Sequence, residues 1–403
     1  MKTVVLLCDG MADTPVPELL GRTPMEAAHK PHMDALAARS EVGLMRTVPD
    51  GMPAGSDVAN LSVIGYDPAV CYTGRSPLEA ANIGIDLGDD DVALRCNLVT
   101  LSDESDYASK TMVDYCAGDI HTSDADLLIR ALQAAFGGGE FDFYTGTAYR
   151  HCLVWHGGKT ALGTVTPPHD ISGRVVGPYL PTHPDAAPLL SLMEQSVRLL
   201  RDHPVNRERA AKGLHPATSI WLWGQGKRPQ LRDFREAYGL RGAMVSAVDL
   251  LKGIGRIAHM QVCDVPGATG YLDTNFEGKR DAALEALRTG CDYAYIHVEA
   301  PDECGHRGEV ENKVKAIEEI DRRILGPLLQ ALPALGDFTL LVAPDHPTPL
   351  ATRTHSPEPV PYLLYRSNRP QDSGVSCFSE AAARDTGRFV PQAHTLLSHM
   401  LHD

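Results

Sequence analysis

The chain has 403 residues, 43% of them hydrophobic and 22% charged, with a net charge of −15. Its length points to roughly two to three domains of an ordinary globular protein. The acidic balance argues against nucleic acid as a partner, since a phosphate backbone needs a basic surface, and the lack of any run of about 18 apolar residues argues against a membrane-spanning helix.

The first run, Val4–Leu7, reads as a buried strand that ends in Asp9-Gly10, too short to be a secretory signal. The next informative stretch is "GMPAGSDVANLSVIGYDP", Gly51 to Pro68. Gly51, Pro53 and Gly55 break regular structure. After Ser56 the apolar residues fall at helical spacing until Gly65 stops the helix. Ser56 therefore has two readings. It is an N-cap, a role serine performs well, or it is a nucleophile whose phosphate ester sits where helix N–H groups and the helix dipole favour anions.

Strand-like runs recur at Leu98–Leu101, Leu153–Trp155, Ile220–Trp223, Ala243–Val245, Tyr293–Val298, Thr339–Ala343 and Tyr362–Tyr365. Helical patterns separate several of them. The clearest is Asn312–Leu332, with Val314, Ile317, Ile320, Ile324 and Leu328 three or four residues apart. This alternation predicts an α/β fold with a mostly parallel sheet covered by helices. Residues 94–217 differ in character, with aromatic residues, Gly137-Gly138-Gly139 and the Pro/His-rich "TPPHDISGRVVGPYLPTHPDAAP". They predict a smaller inserted α+β domain within a discontinuous main domain of 1–93 and 218–403, with substrate in the crevice between them. The nine cysteines are scattered, with no C-x-x-C pair. That usage predicts reduced thiols and a cytoplasmic protein.

Three strands run into acidic or imidazole side chains: Val4–Leu7 into Asp9, Tyr293–Val298 into Glu299-Ala-Pro-Asp302, and Thr339–Ala343 into Asp345-His346. Ligands of open α/β sheets bind at the carboxyl ends of strands, so these groups are expected to meet at one edge. Asp302 and His306 are four apart and share a helix face if Pro301 opens a turn. His355 follows in "RTHSPEPVP". Carboxylate and imidazole together suit Mn²⁺ first, with Zn²⁺ or Fe²⁺ as alternatives and Mg²⁺ less suited to so many imidazoles. The set is too large for one tetrahedral ion and fits two, roughly 3.5–4 Å apart, which clamp the oxygens of phosphoryl transfer and activate the serine hydroxyl. His297 lies inside an apparent buried strand and reads as a satisfied core residue. No G-x-x-x-x-G-K-[ST] is present, so no P-loop nucleotide site is expected.

The motifs "LLCDGMAD", "GSDVANLSVIGYDP", "YTGRSPLEAANIGIDL", "RCNLVTL", "YRHCLVW", "PPHDISG", "WLWGQGK", "AVDLLKGIG", "VPGATGYLDTNFEGK", "VEAPDECGH" and "PDHPTP…RTHS" together resemble the archaeal-type, cofactor-independent phosphoglycerate mutases of the alkaline phosphatase superfamily. The resemblance covers essentially the whole chain. It implies that Asp302, His306 and His355 hold one metal, and that Asp9, Ser56, Asp345 and His346 hold the other. It also implies phosphoryl transfer from 3-phosphoglycerate to Ser56 and back to the 2-hydroxyl, with neither nucleotide nor bisphosphoglycerate as cofactor. The partner is then a small phosphorylated metabolite. Substrate contacts are expected from Arg150, gripping a carboxylate or phosphate, and from Lys252, with His151, Asp170 and Arg75 as further candidates. Asp170 suits the glycerate hydroxyls or a general base. The arginine-rich "RPDR" motif of the larger bacterial mutases is missing. A homoserine kinase-like phosphotransferase, or a related phosphomutase or phosphatase, is the alternative that the same metal–serine core would serve.

Overall fold

The computed structural model describes residues 1–402. The strands, in chain order, are β1 Lys2–Cys8, β2 Glu41–Met45, β3 Val92–Leu101, β4 Met112–Asp114, β5 Phe141–Thr147, β6 Arg150–Trp155, β7 Ser219–Lys227, β8 Gly242–Val245, β9 Gln261–Cys263, β10 Tyr293–Val298, β11 Phe338–Ala343, β12 Val360–Arg366 and β13 Phe389–Val390. They fall into two compact units. One comprises Met1–Tyr72 and the chain from Gln230 onward, the other Thr73–Pro229. Among the described residues no helix is long and apolar enough to cross a membrane.

The first unit is built on an eight-stranded sheet in the order β13-β2-β12-β11-β1-β10-β8-β9. Strand β1 is central. It runs parallel to β10, with Thr3 opposite Tyr293 and Cys8 opposite Val298, and parallel to β11, with Lys2 opposite Phe338 and Leu7 opposite Ala343. Antiparallel pairing occurs only where β12 meets β11 and β2. The unbroken apolar runs of β1, β10 and β11 follow from burial on both faces. Val4, Leu6, Ile296 and Leu340 share one core with Phe276, Ile317, Ile320 and Ile324.

The helix expected over Asn312–Leu332 is interrupted. Val310–Ile320 is α-helical, Asp321–Leu325 is a π turn, Gly326–Ala331 is α-helical again and Leu332–Leu335 is a 3-10 turn. Pro327 has no N–H to give to residue 323, so the regular ladder cannot pass this point and widens just before it.

The second unit is an antiparallel sheet in the order β4-β3-β6-β5, with β7 also pairing with β3. The helices Thr122–Phe136 and Ala187–Arg201 cover it, and Leu128, Leu132, Leu189, Met193 and Trp221 share its core. The insert is wider than the expected 94–217. Strand β7 pairs with β3 from Val92–Lys227 to Val99–Ser219, so both strands lie wholly within this unit. The helix Ser76–Asn82 joins them, its Ser76 Oγ donating to Gly224 O at 2.5 Å. The main unit is therefore shorter than 1–93 and 218–403.

Candidate active site

The neighbours β11, β1 and β10 are parallel, so their carboxyl ends lie side by side. Asp9 follows β1, Asp345 and His346 follow β11, and the helix Ala300–Arg307 follows β10 with Pro301 in its first turn. Gly10 makes the close approach possible. Its φ is +62°, and a Cβ there would lie 2.6 Å from Asp302 Cα, Asp302 Oδ1 and Thr348 Oγ1, so only glycine fits.

Ser56 is the first residue of the helix Ser56–Ile64, and its N-cap is Gly55, which has no side chain to cap with. The capping reading is thus not the observed one. Instead, Ser56 Oγ lies 3.0 Å from His346 Nε2. Gly65, at φ +111°, ends the helix as its position in the sequence predicts.

Two groups of potential metal ligands result: Asp302, His346 and His355, and Asp9, Asp345 and His346. His346 Nε2 is 3.5 Å from Asp9 Oδ1 and 3.3 Å from Asp345 Oδ2. Asp302 Oδ2 is 3.2 Å from His306 Nε2, and its Oδ1 is 3.3 Å from His355 Nε2. The D-x-x-x-H spacing therefore does place both side chains on one helix face.

The donor set fits cations. His306 Nδ1 faces Arg353 O at 2.9 Å, and His355 Nδ1 faces Ala54 O at 3.2 Å. Each Nδ1–H is thereby used, leaving the Nε2 lone pairs to face one another across 2.9 Å beside Asp302. A carbonyl acceptor of this kind is how a ligating imidazole is usually oriented. Asp9 Oδ1 is buried and has no hydrogen-bond partner. Burial, with Asp345, Asp302 and Glu299 nearby, pushes the Asp9 carboxyl well above its ordinary range. So dense a set of buried carboxylates is costly unless cations accompany it.

Several supporting residues carry no signal in the sequence. Asn60 stands one turn after Ser56. Its Nδ2 donates to Asp345 Oδ2 at 2.7 Å and to Ser56 O at 2.8 Å, while its Oδ1 accepts from Tyr295 Oη at 2.6 Å. Thr348 Oγ1 donates to Asp302 and lies 3.3 Å from His346 Nδ1. His297 is a buried and satisfied residue, as expected, and it also orients Asp9. Burial pushes its pKa down to about 3, its Nε2 lies 2.9 Å from Asp9 Oδ2 and its Nδ1 lies 3.2 Å from Ser246 Oγ.

The cationic candidates divide between the units. Lys252, in the helix Asp249–Ile257 of the first, pairs with Asp264 at 2.7 Å. Arg75, Arg150, His151 and Asp170 belong to the second. Arg75 Nε donates to Glu79 at 2.9 Å. Arg150 is exposed, and its guanidinium lies over the Tyr149 ring. His151 is buried in β6, and burial pushes its pKa down to about 3. The neutral ring accepts from Gly146 N–H through Nδ1, and its Nε2 has no partner. Asp170 sits on an exposed turn beside His169.

A model of the family described as 2,3-bisphosphoglycerate-independent phosphoglycerate mutase matches residues 37–206. A Geobacter sulfurreducens protein named as a probable enzyme of this kind is 51% identical over 401 residues, covering 100% of each chain. A Methanosarcina barkeri 2,3-bisphosphoglycerate-independent phosphoglycerate mutase is 49% identical over 398 residues, covering 98% of each. Among solved structures, a Pyrococcus horikoshii protein matches with a TM-score of 0.81 at 28% identity, covering 99% of this chain and 96% of that one. The chain belongs to the 2,3-bisphosphoglycerate-independent phosphoglycerate mutase family.

Proposed function

We propose that this protein interconverts 3-phosphoglycerate and 2-phosphoglycerate through a phosphoserine at Ser56, with two divalent ions, Mn²⁺ first among them. The observation that carries this reading is Ser56 itself. Its hydroxyl takes no part in capping its helix and points at His346, within the Asp/His groups that can hold the ions. Bound ions would lower the pKa of the serine hydroxyl and offset the charge of the phosphoryl oxygens. Asp302, His306 and His355 supply the ligands of one site, and Asp9, Ser56, Asp345 and His346 those of the other.

The chain's own residues set the geometry around that chemistry. The helix that begins at Ser56 presents its positive end to the phosphoryl group. Asn60 fixes the Ser56 carbonyl and Asp345 together, and neutral His297 fixes Asp9. Lys252 supplies a cation in the first unit. In the second, Arg75 and Arg150 supply anion-binding forks, and His151 and Asp170 supply groups for the glycerate hydroxyls. Membership of the family weighs for this reading over phosphoryl transfer to homoserine. All nine cysteines are free thiols, which supports a reducing, cytoplasmic setting.

The test is turnover of 3-phosphoglycerate by the Mn²⁺-loaded protein without nucleotide or bisphosphoglycerate, read through enolase, with Ser56→Ala beside it. Turnover in the wild type and loss in the variant, with a phosphoserine trapped only in the wild type, is the expected result. Turnover that survives Ser56→Ala overturns the reading.

A further inference from the structure

The first unit holds a cavity of about 530 Å³ at the end of the sheet opposite the metal ligands. Small-molecule sites span about 300–1,000 Å³. The floor is two rings, Phe338 at the start of β11 and Tyr365 near the end of β12, with centroids 5.8 Å apart. Strand β11 runs from Phe338 toward Asp345, so a strand's length, roughly 20 Å, separates this floor from the metal ligands.

The cavity has a physical origin in how two helices meet. The helix Pro31–Ala37 and the segment Gly326–Leu335 flank the same part of the core. They are stapled at one end. Asp321 accepts from the N–H groups of His32 and Met33 at 3.1 and 2.7 Å. Gly326 lets the His32 ring lie against the second helix, since a Cβ there would be 2.5 Å from His32 Nε2. Beyond the staple, Ala35 is too small and the Pro333 ring too short to bridge the gap, and the space over the two rings stays open.

The lining carries charges of both signs. The Arg39 guanidinium lies over the Tyr365 ring, 5.8 Å from its centroid. Asp337 is exposed at the turn that enters β11. Among the described residues, neither side chain makes a hydrogen bond or an ion pair, so the two charges share a cavity without pairing. Ser367 Oγ accepts from Phe338 N–H at 2.8 Å, which leaves its own hydrogen for another acceptor. Leu36 and Leu329 supply apolar wall.

These charges select among ligands. A simple anion meets Asp337 and the field of a chain with net charge −15. A simple cation meets Arg39. A zwitterion satisfies both, and an apolar body attached to it covers the ring floor.

We propose that this cavity binds an α-amino acid with an apolar side chain. Its carboxylate lies on Arg39 and Ser367, its ammonium on Asp337, and its side chain on Phe338 and Tyr365. The site is separate from the metal ligands and does not depend on the phosphoglycerate reading.

The experiment is calorimetric titration of the full-length protein with L-phenylalanine, phenylpropanoate and phenylethylamine, which share a ring and differ in their charges, and with L-leucine as a smaller probe. L-phenylalanine is expected to bind about tenfold more tightly than either singly charged analogue, since each analogue lacks one charge-assisted contact. Arg39→Met and Asp337→Asn, both at exposed positions, should each weaken it about tenfold. Asp337→Asn should also bring phenylpropanoate level with it, and Arg39→Met should do the same for phenylethylamine. Ala35→Trp, which fills the gap from the helix surface, should abolish binding; if that variant does not fold, the two charge variants decide. Absence of binding by both amino acids at about 10 mM, a dissociation constant worth under about 3 kcal/mol, overturns the proposal. So does binding that neither charge variant moves, or a wild-type protein that holds phenylpropanoate as tightly as L-phenylalanine.

Discussion

Asn60→Ala tests whether the nucleophile and the metal ligands are held as one object. The substitution removes three hydrogen bonds at once, two of them buried, to Asp345 at 2.7 Å and from Tyr295 Oη at 2.6 Å, and one partly buried, to Ser56 O at 2.8 Å. Tyr295 is fully buried, so its hydroxyl would be stranded, at about 1–3 kcal/mol. Asp345 would lose a charge-assisted bond, about 1.5–3 kcal/mol. The losses share one network and do not add, so about 3 kcal/mol is expected for the first unit. Unfolding in urea, followed as that unit's own transition, measures it. Adding Tyr295→Phe removes the stranded hydroxyl and should recover about 1 kcal/mol. Metal affinity, read by competition with a chelator, should fall about 10- to 100-fold. A cost under about 1 kcal/mol with metal affinity unchanged would refute the reasoning.

Gly10→Ala should lower metal affinity and stability together, because its Cβ would meet Asp302 and Thr348 at 2.6 Å in a left-handed turn; an alanine variant with wild-type melting and metal uptake would contradict this. Lys313 Nζ and Asp13 Oδ2, both side chains 0% exposed, are 2.7 Å apart. Lys313→Met leaves Asp13 buried without its cation and should cost about 3–5 kcal/mol in urea unfolding. In the second unit His156 donates to Asp142 and Asp91, which raise its pKa. A raised histidine stabilises the folded unit fully below the free value of about 6.5, and the gain fades as pH rises through the folded value. Thermal melts across that range should show the decline, and His156→Asn should flatten it.

The strand ends made Asp9, Asp345 and His346 legible, because a buried parallel strand followed by a polar residue says both where the sheet stops and what lies at its edge. Asp302 and His306 were legible from their spacing alone. The supporting groups were not. Asn60 meets Tyr295 and Asp345 across 235 and 285 residues of sequence, and no local pattern marks such a meeting. The insert's borders failed for the same reason: β7 joins β3 through pairing that spans more than a hundred residues, while composition shifts only later along the chain. Strand β2, "EVGLM", was too short and too interrupted by Gly43 to stand out from its surroundings.

The central place of β1 has a consequence for how the chain is made. Its only strand partners are β10 and β11, and β10 leaves the ribosome about 290 residues after it, roughly 15–60 s at ordinary synthesis rates. During that wait Val4–Leu7 is an apolar segment without a sheet to enter, whereas Thr73–Pro229 contains every strand of its own sheet and can close early. Protease challenge of chains stalled at increasing lengths should find the insert protected first and the N-terminal strand protected only after β10 has emerged. The metal centre, whose candidate ligands Asp9, Asp302, Asp345, His346 and His355 lie before and after the insert in the sequence, is therefore assembled only after β10 and β11 have emerged.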